Sequence, residues 1–280
     1  MGEDVAPASA AAGQSDRYLL GASAAEVEHL IRQAEVYAEE ARQLLDRVRI
    51  TAGASVIDVG CGVLGIVDLL CARVGPQGRV VGVDREPRML DAARQVAAQR
   101  GLSADFLLGD ATDLVLPPDS FDLVHERTVL LNVADPARVV AEMIRITRPG
   151  GVIALQEPDS SAWVCDPPHP AWGLLRAELL DAYRRNGKNF DMGRRIARLL
   201  RDAGLADVRV RATARVTNAA DYYQTFLLTL TSLVRDQIIA GQRVSAAEFD
   251  AHSASLRAHL QQPDTLTCQP TIWQAWGTKA

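Results

Sequence analysis

From Ser23 onward, the apolar residues Val27, Leu30, Ile31, Ala34, Tyr37, Ala38, Ala41, Leu44, Leu45 and Val48 recur three and four positions apart, with Glu and Arg between them. That period predicts one long amphipathic helix, broken at most once. After Thr51-Ala-Gly the pattern changes to a short apolar run, Ser55-Val-Ile-Asp-Val, that ends in glycines and is followed by a helical pattern from Ile66 to Val74. Strands are then predicted at Arg79–Asp84, Ala104–Gly109, Phe121–Glu126 and Val152–Gln156. Helices at Pro87–Arg100 and from Asp135-Pro to Thr147 alternate with them, each bounded by Gly or Pro. Strands alternating with helices of this length imply right-handed crossovers and a mostly parallel sheet with helices on both faces, the doubly wound α/β class.

Past Glu157 the alternation stops. A Pro-rich bend, Asp166-Pro-Pro-His-Pro, leads into helical patterns at Trp172–Arg185 and Gly193–Ala203. A strand is expected over Asp207–Val216, helices over Ala220–Ala240 and Ser245–Gln261, and an edge strand somewhere in Thr265–Gly277.

Composition narrows the class without naming a chemistry. The chain has 280 residues, 48% apolar and 23% charged, which is ordinary for a globular protein. Thirty basic against thirty-five acidic residues give a net charge of −5, an unsuitable balance for holding a phosphate backbone, so no nucleic-acid partner is expected. Cys61, Cys71, Cys165 and Cys268 form neither a CxxC pair nor a metal-ligand pattern, and no metal is expected. Residues 1–16, rich in Ala, Ser and Gly, read as a disordered tail with no secretory or membrane character. A cytoplasmic enzyme, monomer or homodimer, with no membrane partner is the expectation.

The most informative stretch is Val56-Ile-Asp-Val-Gly-Cys-Gly-Val-Leu-Gly65. Gly60, Gly62 and Gly65 allow a tight turn at the carboxyl end of a strand, where doubly wound sheets bind nucleotides. Asp84, ending the second strand 22 residues beyond Gly62, stands where an acid takes ribose hydroxyls. A nicotinamide dehydrogenase would share these features. Three others speak against one: Asp58, a carboxylate two residues before the first glycine that would repel a pyrophosphate; Gly109-Asp110-Ala-Thr-Asp113 after the third strand; and Ser120-Phe-Asp122 paired with Arg148-Pro-Gly-Gly151.

On these motifs the chain resembles the class I S-adenosylmethionine-dependent methyltransferases, most specifically within Val56–Leu155. More loosely, Glu157-Pro-Asp, Pro-Pro-His-Pro-Ala-Trp and Asp191-Met-Gly-Arg-Arg resemble bacterial small-molecule enzymes of that class from specialised metabolism. The resemblance implies a Rossmann-like, seven-stranded sheet in the order 3-2-1-4-5-7-6 with the last strand antiparallel, the Asp207 and Thr265 segments supplying its final places. It implies S-adenosylmethionine as cofactor and S-adenosylhomocysteine as product. Carried over by motif, Asp58, Gly60 and Gly62 would surround the methionine portion and Asp84 would hold the ribose. Asp110 and Ala111 would meet the adenine edge, Arg85 and Met89 would flank the adenosine, and Glu126 would sit beside the methionine end. Residues 17–50 would form a helical lid reaching in with Tyr18 and Gln33, ahead of a cofactor-binding domain at 51–280.

Methyl transfer from a sulfonium needs alignment, exclusion of water and, for some acceptors, a base. His125 at the carboxyl end of the fourth strand is the first candidate base; His169 in the Pro-rich bend and Glu157 on the same rim follow. His29, His252 and His259 fall in helical patterns that read as solvated. An insertion around 158–195, with Trp163, Trp172, Tyr183 and Phe190, would enclose a small organic acceptor, although aromatics at such spacings also build cores. The leading expectation is methyl transfer to O, N or C of that acceptor. A cofactor-binding protein of this fold doing non-methyl chemistry such as cyclisation, and an NAD(P)-dependent oxidoreductase, are the alternatives.

Overall fold

The computed structural model describes residues 24–280. Two helices, α1 (Ala24–Val36) and α2 (Ala38–Val48), precede β1 (Ser55–Val59), α3 (Val67–Val74), β2 (Arg79–Asp84), α4 (Pro87–Arg100), β3 (Asp105–Leu108) and β4 (Phe121–Arg127). Next come α5 (Pro136–Ile146), β5 (Thr147–Asp159), β6 (Val164–Asp166), α6 (Pro170–Arg185), α7 (Ile196–Asp202), β7 (Ala206–Thr213) and β8 (Val216–Thr217). The chain closes with α8 (Phe226–Leu233), α9 (Arg235–Ile239), α10 (Ala246–Leu260), β9 (Leu266–Cys268) and β10 (Thr271–Thr278).

Seven strands form the central sheet in the order β3-β2-β1-β4-β5-β10-β7. The pairs from β3 to β5 are parallel, whereas β10 runs antiparallel to both β5 and β7. This is the doubly wound, mostly parallel sheet expected from the alternation. β1 is buried at four of its five positions and β4 at six of seven, as strands covered on both faces must be. The first helical pattern breaks once, at Tyr37.

Two expectations need correction. The Thr265–Gly277 segment is not an edge strand: it divides at Gln269-Pro270, and β10 inserts between β5 and β7, leaving β7 on the edge. Both faces of β10 are covered; even Gln274 is fully buried and donates to the Glu40 carbonyl at 2.9 Å. The helix expected over Ala220–Ala240 is a 3-10 turn at Tyr222–Thr225 followed by α8 and α9. A small second sheet, β6-β9-β8, was not foreseen. A buried polar knot spans it, in which Thr217 and Thr267 hydroxyls meet at 2.7 Å and Gln269 reaches the Tyr223 carbonyl at 2.9 Å.

The core around the 158–195 segment is aromatic. Trp163 is fully buried, stacked on Phe190 at 5.5 Å and edge-on to Trp172 at 6.0 Å. Both tryptophans are therefore core. The strand ends β1, β2, β3 and β4 converge on one rim, across which α1 lies. The expected tail at residues 1–16 and Tyr18 of the expected lid lie outside the described residues.

Candidate active site

A cleft opens at the carboxyl ends of β1 to β4, the place where doubly wound sheets bind small molecules. Its floor is Gly60 and Gly62 after β1; Asp84, Arg85 and Glu86 follow β2, with Met89 on α4; Gly109, Asp110 and Ala111 follow β3. Arg127, Thr128, Val129 and Asn132 close it from β4, and Leu30 of α1 overhangs it. Of the residues assigned to the cofactor by motif, Gly60, Gly62, Asp84, Arg85, Met89, Asp110 and Ala111 meet in this one cleft.

The loop after β1 is built around backbone that only glycine tolerates. Gly65 sits at φ +55°, and a Cβ there would lie 2.0 Å from Oδ2 of Asp58. Gly60, at φ +70°, faces the Val129 side chain, where a Cβ would be 2.2 Å from a methyl. The Gly62 amide donates to Asp84 at 2.8 Å, and the Glu86 amide reaches the other Asp84 oxygen at 2.9 Å. Burial raises the Asp84 carboxyl above its ordinary range, opposed by these two amides. At Asp110, which accepts both the amide and the hydroxyl of Thr112 at 2.7 and 2.6 Å, those bonds outweigh partial burial and lower the carboxyl.

Asp58 and Glu126 do not line the cleft. Asp58 is 1% exposed; Oδ2 accepts the Ile66 amide at 3.0 Å and Oδ1 meets Nδ1 of His125 at 2.7 Å. The parallel register that sets Asp58 beside His125 makes this pair, and His125 is completely buried. It touches neither the cleft nor the cavity described below. Glu126, also fully buried, accepts the Val129 amide at 3.0 Å and the Gln156 amide at 3.2 Å. These side chains are spent on loop amides that would otherwise be buried without acceptors.

Glu157 is the partner of Glu126. Its Oε1 accepts the amides of Leu130 and Leu131 at 2.6 and 3.3 Å, and the charge of each carboxyl opposes ionisation of the other. Two carboxylates cannot both ionise in such a place. Burial raises both Glu126 and Glu157 above the usual carboxyl range, the ionisation of each opposed by the other's charge, so the pair holds one proton between them at neutral pH. The pair anchors the 128–132 loop from beneath and lines neither space. His169 is displaced further: it caps α6 through the Ala171 amide at 3.2 Å and lies beside His259 at 4.8 Å between ring centres, away from both. The Asp122–Arg148 combination forms an ion pair at the opposite end of β4, where Asp122 also holds the Ser55 amide at 2.7 Å.

Two site residues escaped the sequence reading. Arg127, 8% exposed, donates through Nη2 to the Gly65 carbonyl at 3.0 Å, while Nη1 is buried on the cleft wall with no partner among the described residues. Its guanidinium lies 6.0 Å over the Tyr37 ring. The other is His29, read as a surface residue but only 3% exposed. It lines a second cavity that shares Leu30, Thr128 and Asn132 with the cleft. The remaining wall there is largely apolar and aromatic: Tyr37, Leu131, Pro158, Tyr183, Phe190, Phe226, Leu230 and Ile272, with Gln33. Residues from the 158–195 segment thus divide, Tyr183 and Phe190 lining this cavity while the tryptophans pack behind it.

Among the described residues, no helix is long and apolar enough to cross a membrane, and no three His, Cys, Asp or Glu side chains are grouped to hold a metal ion. Residues 50–198, just over half of the chain, match a family model described as a methyltransferase domain. An uncharacterised 37.1 kDa protein in a transposon of Streptomyces fradiae is 35% identical over 184 residues, 64% of this chain; the chain spans only 52% of that relative's length. The demethylmenaquinone methyltransferase of Geobacillus stearothermophilus is 30% identical over 61% of this chain and 78% of its own. Nocamycin O-methyltransferase of Saccharothrix syringae is 38% identical over 44% of this chain and 45% of its own. Among solved structures, the YcgJ protein of Bacillus subtilis superposes with a TM-score of 0.56 at 18% identity, covering 85% of this chain and 97% of its own, a likeness of fold.

Proposed function

We propose that this chain, which belongs to the S-adenosylmethionine-dependent methyltransferase family, transfers a methyl group to O, N or C of a small organic acceptor bound in the second cavity. The observation that carries the proposal is the junction of two unlike spaces. A glycine-floored cleft carrying the charged side chains Asp84, Asp110 and Arg127 and an aromatic cavity share the wall formed by Leu30, Thr128 and Asn132.

The cleft fits the cofactor by the chemistry of its donors. Asp84 keeps lone pairs for ribose hydroxyls beyond those given to Gly62 and Glu86. Asp110 and Ala111 would meet the adenine edge, with Arg85 and Met89 flanking the adenosine. The orphaned Nη1 of Arg127 would hold the methionine carboxylate, since a buried guanidinium donor left without an acceptor is costly and a carboxylate satisfies it best. When bound, S-adenosylmethionine supplies an electrophilic methyl on a positively charged sulfur. The protein's share is positioning: the loop braced by Glu126 and Glu157 sets Thr128 and Asn132 between the spaces, and α1 covers both and keeps water out. On this reading α1 and α2 act as the lid of a cofactor domain at 51–280, and His125 and Glu157 support the site rather than abstract protons. Relatives named as a demethylmenaquinone methyltransferase and a nocamycin O-methyltransferase support an organic small-molecule acceptor.

Calorimetric titration with S-adenosylhomocysteine tests the proposal. Wild-type protein should bind in the micromolar range, and Asp84→Asn and Asp110→Ala should each weaken binding at unchanged melting temperature. Folded wild-type protein that fails to bind would refute it.

A further inference from the structure

The second cavity contains a histidine with nothing to do. His29 lies on α1 with its ring stacked on Phe226 at 5.9 Å and 14° between planes. Neither ring nitrogen has a hydrogen-bond partner among the described residues, although the side chain is only 3% exposed. Buried polar atoms are nearly always paired, so an imidazole orphaned at both nitrogens on a cavity wall marks a place where a ligand completes the bonding.

We propose that His29 is the base for methyl transfer to oxygen, and that the acceptor is a flat conjugated ring carrying an acidic hydroxyl, seated against Phe226, Phe190 and Tyr183. This deepens the methyl-transfer reading above and rests on it. The charge pattern of the cavity selects the hydroxyl. Among the described residues, no Asp or Glu lines it to receive a protonated amine, and no Lys or Arg lines it to receive a carboxylate. A neutral acceptor is left, one that offers a proton to a neutral imidazole. Burial favours the uncharged form of His29 and so leaves a lone pair available at neutral pH.

The groups around it leave that task to His29. Tyr37 faces the cavity from the start of α2, its phenol pushed up to about 12 by burial, and Tyr183 faces it from α6. Tyr223, with its phenol raised well above normal by burial, stacks behind Phe226 at 4.5 Å, and Arg127 stands behind Tyr37. On its own helix the neighbouring charges are Glu28 and Arg32, both exposed. Among the described residues lining the cavity, His29 alone can take up a proton near neutrality.

In the step itself, an oxygen lone pair of the acceptor forms the new C–O bond as the methyl C–S bond breaks. The electron pair of that bond goes to sulfur, which loses its positive charge and becomes a thioether. The hydroxyl proton passes to His29 and from there to solvent.

The test uses full-length protein, S-adenosylmethionine labelled in the methyl group, and four probes: 1-naphthol, 2-naphthol, 1-naphthylamine and 1-naphthalenemethanol. The first two should be methylated in preference to the amine and the alcohol. His29→Asn and His29→Gln should each lower kcat at neutral pH by about 10²- to 10⁴-fold, with KM little changed. Their rate should recover only as pH rises toward the acceptor's own ionisation, a shift that a merely structural histidine would not produce. Affinity for S-adenosylhomocysteine should be kept by whichever variant folds. The inference is overturned if protein that binds S-adenosylhomocysteine methylates neither hydroxyl probe, prefers the amine, or shows the wild-type pH profile in both variants. Loss of S-adenosylhomocysteine binding by wild type would instead overturn the methyl-transfer reading on which it rests.

Discussion

Replacing Arg127 by Met separates two jobs that one guanidinium holds. Its Nη2 bond to the Gly65 carbonyl, 3.0 Å long, braces the glycine loop and contributes about 0.5–1.5 kcal/mol to folding. Methionine gives that bond back in part, because it removes a buried charge while keeping an apolar stem of similar length. The orphaned Nη1 has no folding bond to lose. If it holds the methionine carboxylate of the cofactor, removing it forfeits a charge-assisted bond of about 1.5–3 kcal/mol, which is about 10- to 150-fold in affinity. Calorimetry with two ligands reads this directly: S-adenosylhomocysteine carries the amino-acid end, and 5′-methylthioadenosine shares the adenosine and the sulfur but lacks it. Arg127→Met should weaken the first by that factor and leave the second nearly unchanged. An equal loss for both ligands would mean that Arg127 serves only the loop, and no loss for either would remove it from the site.

Gly65→Ala should destabilise the fold by about 2–4 kcal/mol in a urea melt, combining a left-handed residue with displacement of Asp58 from the Ile66 amide and His125; wild-type stability would show that the loop can relax around the new methyl. Glu126 and Glu157 both titrate above the ordinary carboxyl range, so their contribution is fully present below about 4.5 and is lost as pH rises through about 7 and beyond. Wild-type melting temperature should therefore fall from roughly pH 5 to pH 9, and Glu157→Gln, which mimics the protonated acid, should flatten that fall; parallel curves for the two proteins would disprove the shared proton. Ser245→Ala removes a complete capping box from α10 and should cost about 1 kcal/mol with no change in S-adenosylhomocysteine affinity, a check that stability and binding are read independently.

The parallel half of the sheet was legible because its signals are local. β1, β2, β3 and β5 are each ended by Gly or Asp, and each crossover helix has its own period. The antiparallel end was less so, since the place of β10 depends on partners far away in sequence. Trp273 and Trp276, three residues apart, fall on opposite faces of β10, and α2, whose Glu40 carbonyl receives Gln274, packs over one of them. Short strands such as β8, two residues long, exist only because Thr217 and Thr267 meet across a 50-residue separation. No window of sequence contains that.

The site divides along the same line, and the reason lies in what a strand end must first satisfy. Where a strand runs into a tight loop, the amides of the loop turn inward, and the nearest carboxylate accepts them before any ligand can. Asp58, Glu126 and Glu157 are all taken in this way, by Ile66, by Val129 and Gln156, and by Leu130 and Leu131. Asp84 also accepts two amides, yet it keeps a partly open face on the cleft. The motif places all four at strand ends; burial decides which can touch a ligand, and burial is not a local property. Histidine shows the converse. His125 ends an apolar strand and so looked poised for chemistry, but the parallel register commits it to Asp58. His29 lies in a helix whose apolar stripe runs through Val27, Leu30, Ile31 and Ala34, and a single stripe leaves it on the wet side. A second stripe was present: His29, Gln33 and Tyr37, each four residues on from the last and each capable of hydrogen bonding, all line the same cavity. A helix lying across a site buries two faces, one apolar against the body of the protein and one polar against what it covers, so a regular polar stripe beside the apolar one points to a covered site rather than to solvent.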